Sequence, residues 1–176
     1  MLIDYGNLGV IRLKNYEYGY EYEIANSEVT IIGYLESDKD VIIPSEIDGL
    51  PVTAIGKWAF ANSHLTSVMI PDSVTSIASF AFSHNKLTSV AIGSNVIFIG
   101  EGVFARNQLT RIAIPSSVTH IGQLAFLNNP LMSVTIGDIE IPVDLSSEWI
   151  GYYREQIEEK KVSELRTAFG TWELLD

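Results

Sequence analysis

Residues 65–86 read LTSVMIPDSVTSIASFAFSHNK, and residues 87–108 read LTSVAIGSNVIFIGEGVFARNQ. Laid one over the other, they place Leu65 on Leu87, Val68 on Val90, Ile70 on Ile92, Val74 on Val96, Ile77 on Ile99 and Phe82 on Phe104. The same 22-residue offset continues through Leu109, Ile112, Ile114, Val118, Ile121 and Phe126 to Leu131, Val134 and Ile136. It reaches back to Val52, Ile55 and Phe60. Six apolar positions recurring in register are the mark of a repeat array, in which each copy buries its apolar face only against its neighbours.

Within one copy, Leu-x-x-Val-x-Ile alternates as a short strand does. Leu65, Val68 and Ile70 face the core, while Ser67 and Met69 face out. Pro71 and Pro115, with Gly93 and Gly137 in the same place, end the strand. The chain then crosses back through Val74 and Ile77, and Ala81-Phe82 plug the core from the other side. The expected architecture is a repeat solenoid with a parallel β ladder, and short turns or 3-10 segments on the other side. Stacked strands lie about 4.8 Å apart. The phenylalanine series is its largest packing term, on the order of 2–3 kcal/mol for each buried ring. Asn85, Asn107 and Asn129 also recur, with Ser63 in the equivalent place. An asparagine there satisfies backbone groups of a tight bend from inside.

Composition limits the function. The chain has 176 residues, 47% hydrophobic and 19% charged, which suits one folded domain rather than a disordered segment. No apolar run approaches the roughly 18 residues a membrane helix needs, so no membrane insertion is expected. The opening MLIDYGNLGVIRLK carries Asp4 and lacks a basic stretch before an apolar one, so it does not read as a signal peptide. There is no cysteine, which excludes disulfides, thiolate metal sites and cysteine nucleophiles. The net charge of −11 divides unevenly: −7 over residues 1–48, +2 over 49–137 and −6 over 138–176. A near-neutral array between acidic ends argues against nucleic acid, which needs a basic face. Acidic ends also oppose end-to-end stacking.

The two ends read as caps. Tyr16, Tyr18, Tyr20, Tyr22 and Ile24 alternate with Glu17, Gly19, Glu21 and Glu23, which predicts a strand whose tyrosine face covers the first repeat. Further strands are expected near Val29–Tyr34 and Val41–Ile43. Towards the end, Trp149, Ile150, Tyr153 and Ile157 share one helical face behind Ser146 and Ser147. Together these give an N-terminal β cap over 1–48, four 22-residue repeats over 49–137, and a C-terminal cap over 138–176 with a helix near 147–168, all in one structural domain.

The stretches IPDSVTSIASFAF, IGSNVIFIGEGVF and IPSSVTHIGQLAF, with IPSEIDGLPVTAIGKWAF before them, resemble the BspA-like class of bacterial leucine-rich repeats. That repeat runs approximately I-P-x-x-V-x-x-I-G-x-x-A-F, then Cys or Asn, then L-x-x-V; this chain has the Asn form. Ala78 stands where Gly is usual after Ile77, Val103 where Ala is usual before Phe104, and the first unit has extra residues between Pro44 and Ile55. The resemblance implies a cell-surface or secreted protein that binds components of a host or neighbouring cell.

Catalytic chemistry finds no support. His64, His84 and His120 are out of register with one another, and no ligand-spaced histidine pair or nucleophile elbow is present. Ser116, Ser117 and His120 lie close together, but no acid joins them. No catalytic residue, metal or cofactor is expected. The expected activity is protein binding or adhesion through the outward strand positions Ser67, Met69, Ser89, Ala91, Arg111, Ala113, Ser133 and Thr135. Trp58 and Phe80, which share one repeat slot on the opposite edge, form a second candidate patch. The partner is then a protein, with the chain a monomer or weak homo-oligomer. The alternative is a structural solenoid that self-assembles through its caps or edges.

Overall fold

The computed structural model describes residues 10–15, 18–137 and 139–142. Its N-terminal part is an antiparallel meander of β1 (Ile11–Asn15), β2 (Tyr20–Ala25) and β3 (Glu28–Tyr34). The β2–β3 turn is the pair Asn26-Ser27, both at positive φ (52° and 61°), which matches the twist of a tight hairpin. β4 (Asp40–Ile42) begins the strand wall of the solenoid. A short hairpin of β5 (Glu46–Ile47) and β6 (Leu50–Ile55) follows, turned by Asp48-Gly49 at φ 53° and 76°. This hairpin accommodates the extra residues of the first unit. The Tyr22 hydroxyl donates to the Asp48 carboxylate at 2.8 Å and ties it to the meander.

Each later copy contributes one strand to each of two walls. One wall receives β7 (Ser67–Met69), β9 (Ser89–Ala91), β11 (Arg111–Ile114) and β13 (Ser133–Ile136). The other receives β8 (Ser76–Ile77), β10 (Phe98–Ile99) and β12 (His120–Ile121). In this second wall β3 pairs in parallel with β6, and the ladder continues through β8, β10 and β12, so the meander and the solenoid share one sheet. At the far end of the strand wall β14 (Ile139–Pro142) runs antiparallel to β13. Pro71 and Gly137 follow their strands as their residue types require.

The third side is closed by turns, and among the described residues no helix or 3-10 segment occurs. The turns still form a ladder: Phe60 N–H donates to Ala81 C=O, Phe82 to Val103 and Phe104 to Ala125. Phe60, Phe82, Phe104 and Phe126 are buried and stack in a column, with centroid spacings of 4.9, 5.6 and 5.8 Å. Tyr34 and Tyr20 close its N-terminal end, 5.3 and 6.1 Å from Phe60. The tyrosine stripe therefore caps through Tyr20 and Tyr22, which are buried. It is shorter than its alternation suggests: Tyr18 lies in the turn before β2 and is exposed, and Tyr16 falls outside the described residues. The expected helix over 147–168 also lies outside them.

The asparagines form a second column. Asn85 Oδ1 accepts the N–H of Leu65 at 3.0 Å, and its Nδ2 donates to the carbonyls of Phe60 (2.7 Å) and Phe82 (2.9 Å). Asn107 repeats this with Leu87, Phe82 and Phe104, and Asn129 with Leu109, Phe104 and Phe126. Each amide thus serves two successive turns at once.

Candidate functional site

Strand pairing sets the outward residues of the strand wall in rows. Asp40, Ser67 and Ser89 are partners across β4, β7 and β9, as are Ile42, Met69 and Ala91. Arg111 pairs with Ser133 and Ala113 with Thr135 across β11 and β13. Ile42 is 72% and Met69 51% exposed, and Ser89, Ala91, Arg111 and Ala113 are exposed as well. Ser133 departs from expectation. It is only 9% exposed, because β14 pairs alongside β13 and covers that edge. Ser67 and Thr135 are half-buried.

The wall is not one continuous sheet. β4-β7-β9 form one three-stranded group and β11-β13-β14 another, with no ladder between β9 and β11. Elsewhere in the wall, Thr88 N–H donates to Thr66 C=O, Met132 to Thr110, and Ile70 to Ala91. The equivalents at this junction, Thr110 to Thr88 and Ile92 to Ala113, are absent. Pro115, which follows β11, has no N–H to offer Ile92, whereas Gly137 one copy later does donate, to Ile114. Val90 and Ile92 are consequently half-buried, where Val68 and Ile70 are buried. Over this junction lies an open groove of about 480 Å³, whose walls include Thr88, Ser89, Thr110, Arg111, Ser133 and Thr135.

Arg111 is the one charged side chain lining the groove, and it makes no ion pair among the described residues. The other charge of its row, Asp40, is held at the N-terminal end, where it accepts hydrogen bonds from the hydroxyls of Thr66 and Ser67, both at 2.7 Å. Those bonds, that from Thr66 first, lower its pKa below the ordinary carboxylate value.

On the opposite side the second candidate patch is present and built differently from its outline in sequence. Trp58 and Phe80 stack at 4.4 Å with planes 10° apart, and Trp58 is 46% exposed. Both sit at positive φ (63° and 61°), as do Gly102 and Leu124 in the same slot of later copies. A second slot four residues on, holding Asn62, His84, Arg106 and Asn128, has the same left-handed backbone. Sequence reasoning missed these two series. The signal is Gly102, Asn62 and Asn128, residue types that tolerate positive φ, standing in register with types that do not. A Cβ on Gly102 would lie 2.3 Å from Cε1 of Phe80, so the absent side chain makes room for that ring. Gly102→Ala is expected to tilt Phe80 away from Trp58 and to cost about 1–2 kcal/mol. A urea titration checks the second effect, and tryptophan fluorescence the first.

Ile97 and Phe98 are exposed near the second wall, and Phe98 stacks on His120 at 4.7 Å. The Ser117 hydroxyl donates to Val96 C=O at 2.7 Å. Among the described residues no three His, Cys, Asp or Glu side chains cluster as metal ligands, and no helix is long and apolar enough to cross a membrane.

The repeat family described as BspA type Leucine rich repeat region matches residues 37–143 in six copies. A leucine-rich repeat protein from Bacteroides capillosus has 32% identity and a TM-score of 0.63, over 71% of this chain and 97% of that one. The leucine-rich repeat protein of T. pallidum is similar at 22% identity and TM-score 0.58, over 72% of this chain and 82% of that one. The pneumococcal vaccine antigen PcpA shares the fold at 20% identity and TM-score 0.60; the match covers 72% of this chain and 38% of PcpA. No curated protein matches. Proteins of this kind are in general protein-interaction modules. With more than half its length matched, the chain belongs to the BspA-type leucine-rich repeat family.

Proposed function

We propose that the chain is a non-enzymatic binding or adhesion module that presents its strand wall, centred on Arg111, to a protein on a host or neighbouring cell. The observation that carries this reading is the groove over the β9–β11 junction, which gathers five of the outward positions expected from sequence: Ser89, Arg111, Ala113, Ser133 and Thr135. Apart from Arg111 its walls are short side chains, so little rotamer freedom is lost there when a partner docks. Arg111 has a planar fork of donors with no ion pair to give up among the described residues, the profile of an interface anchor. The family's association with cell surfaces supports the location.

Binding by the full chain, measured against a recovered partner, tests it. Arg111→Ala is expected to weaken binding by about thirtyfold or more. It should change stability by no more than about 0.5 kcal/mol, as an exposed side chain does. Met69→Glu and Ala91→Glu should weaken binding too, while Lys86→Ala, in the turn before β9, should not. Affinity that responds to Trp58→Ala or Phe80→Ala but not to these strand variants moves the site to the aromatic edge. A concentration-dependent oligomer in sedimentation that Arg111→Ala leaves intact would favour the self-assembly alternative.

A further inference from the structure

We infer that the groove on the strand wall takes the carboxylate of a sugar acid, with Arg111 as its counter-ion and the hydroxyls around it as partners for the sugar. The inference rests on the strand wall being the docking surface, and it specifies the chemistry recognised there: an acidic glycan on the partner.

The wall already holds one carboxylate of its own. Strand register and the 22-residue offset set Asp40, Ser67, Ser89, Arg111 and Ser133 in one outward row. At the N-terminal end of that row the Asp40 carboxylate accepts the hydroxyls of Thr66 and Ser67, at the head of β7, both at 2.7 Å. Two strands on, Thr110 and Arg111 occupy the positions of Thr66 and Ser67, and Ser89 occupies that of Asp40. The donors are kept, one of them now a guanidinium, while the acid has become a short neutral side chain. The groove of about 480 Å³ lies over this place, and no carboxylate lines it. An incoming carboxylate above Ser89 meets a fork that can hold it bidentately, with the Thr110 hydroxyl beside it.

Hydroxyls without partners are the second observation. The Thr88 hydroxyl donates to Thr66 C=O at 3.3 Å, as that of Thr66 does to Lys39 C=O. Those of Ser89, Thr110, Ser133 and Thr135 have no hydrogen-bond partner among the described residues, and all four residues line the groove. Ser133 is only 9% exposed and still lines it, so a ligand there gives its hydroxyl the partner that the fold does not. Such hydroxyls donate and accept alike, as those of a sugar do. An acidic side chain brings the carboxylate and leaves most of them unbonded. A neutral sugar bonds to them and leaves the guanidinium unpaired. A sugar acid engages both. The groove's 480 Å³ lies within the usual range for ligand sites, about 300–1,000 Å³, and suits a sugar rather than a whole domain.

The test titrates the full chain, isotopically labelled for nuclear magnetic resonance, with the methyl glycoside of glucuronic acid, the methyl glycoside of glucose, and acetate. The signals followed are the side-chain Nε–H of Arg111 and the amides of Ser89, Thr110 and Ser133. The glucuronide is expected to give a saturable shift, with the glucoside and acetate each binding at least about tenfold more weakly. Arg111→Gln should lower glucuronide affinity by about tenfold or more, and Thr110→Val by about threefold. Neither should move the melting temperature, which a structural role would. Ser89→Asp restores an acid at the position of Asp40; its carboxylate should pair with Arg111 and lower glucuronide affinity by about tenfold or more. Absence of a saturable shift with the glucuronide overturns the inference. Acetate that binds as tightly overturns the sugar and gives the site to any carboxylate, the acidic side chain of a protein included. Inorganic phosphate that binds more tightly than the glucuronide assigns the site to tetrahedral anions and overturns it as well. Each of these results leaves the strand wall as the docking surface if Arg111→Ala still weakens binding of a recovered protein partner. Shifts that gather on Trp58 and Phe80 instead overturn both.

Discussion

Phe82→Ala is expected to lower the unfolding free energy by about 3–5 kcal/mol, the usual cost of emptying a buried aromatic site whose walls cannot collapse. The ring is fully buried and stacked between Phe60 at 4.9 Å and Phe104 at 5.6 Å. Its neighbours are held by the backbone ladder of the turns, so they cannot close the gap without breaking bonds such as Phe60 N–H to Ala81 C=O. Domains of this size are stable by only about 5–15 kcal/mol, so the variant should be close to unfolding at 37 °C. Equilibrium denaturation in urea provides the measurement. A loss below about 1 kcal/mol would mean that the column does not hold the copies together.

Asn107→Ala should also destabilise the fold, by about 1–3 kcal/mol, for a different reason. The side chain is buried, accepts the Leu87 N–H at 3.0 Å and donates to the carbonyls of Phe82 and Phe104. Alanine leaves the Leu87 N–H without its acceptor where water has no easy access, on the order of 1–3 kcal/mol, while the carbonyls of Phe82 and Phe104 each lose one of two amide donors and keep those of Asn85 and Asn129. Asn107→Asp separates shape from hydrogen bonding. The carboxylate fits the same space but faces two carbonyl oxygens, which together with burial raises its pKa in the folded state. A carboxyl whose folded pKa is raised stabilises most below its unfolded value, about 3.9, and loses that contribution as pH rises through the folded one. The aspartate variant should therefore lose its deficit relative to wild type in mild acid and regain it at neutral pH. Denaturation midpoints of the two proteins, compared across that range, check the sign. Asn107→Asp matching wild type at pH 7 would show that the amide's donors are idle.

Much of this architecture could be read from residue order alone, because a solenoid writes each packing position several times. Phe60, Phe82, Phe104 and Phe126 announce one column, and Asn85, Asn107 and Asn129 another, and both occur where the 22-residue period puts them. The break between β9 and β11 was not legible, since Val90 and Ile92 obey the apolar pattern as well as Val68 and Ile70 do. The break lies in backbone bonds that a side-chain pattern does not encode. The left-handed slots were hidden by Trp58 and Phe80, whose size suggests packing rather than turn geometry. Of the candidate surface, Arg111, Ser89 and Ala113 were recoverable from alternation. The low exposure of Ser133 was not legible, because the antiparallel return of β14 follows no repeat rule.

The asparagine column also gives the molecule a direction of assembly. The amide of Leu65 waits for Asn85, that of Leu87 for Asn107 and that of Leu109 for Asn129, each partner lying 20 residues further along the chain. A polypeptide leaving the ribosome N-terminus first therefore always carries, at its growing edge, a newly made turn whose leucine N–H is still bare. Each turn is locked only when the next has been synthesised, so the stack should rigidify in the order of translation and trail the exit tunnel by about one copy. A nascent chain stalled with Asn85 already outside the tunnel should protect the Leu65 amide from exchange, and one stalled with Asn85 still inside should not.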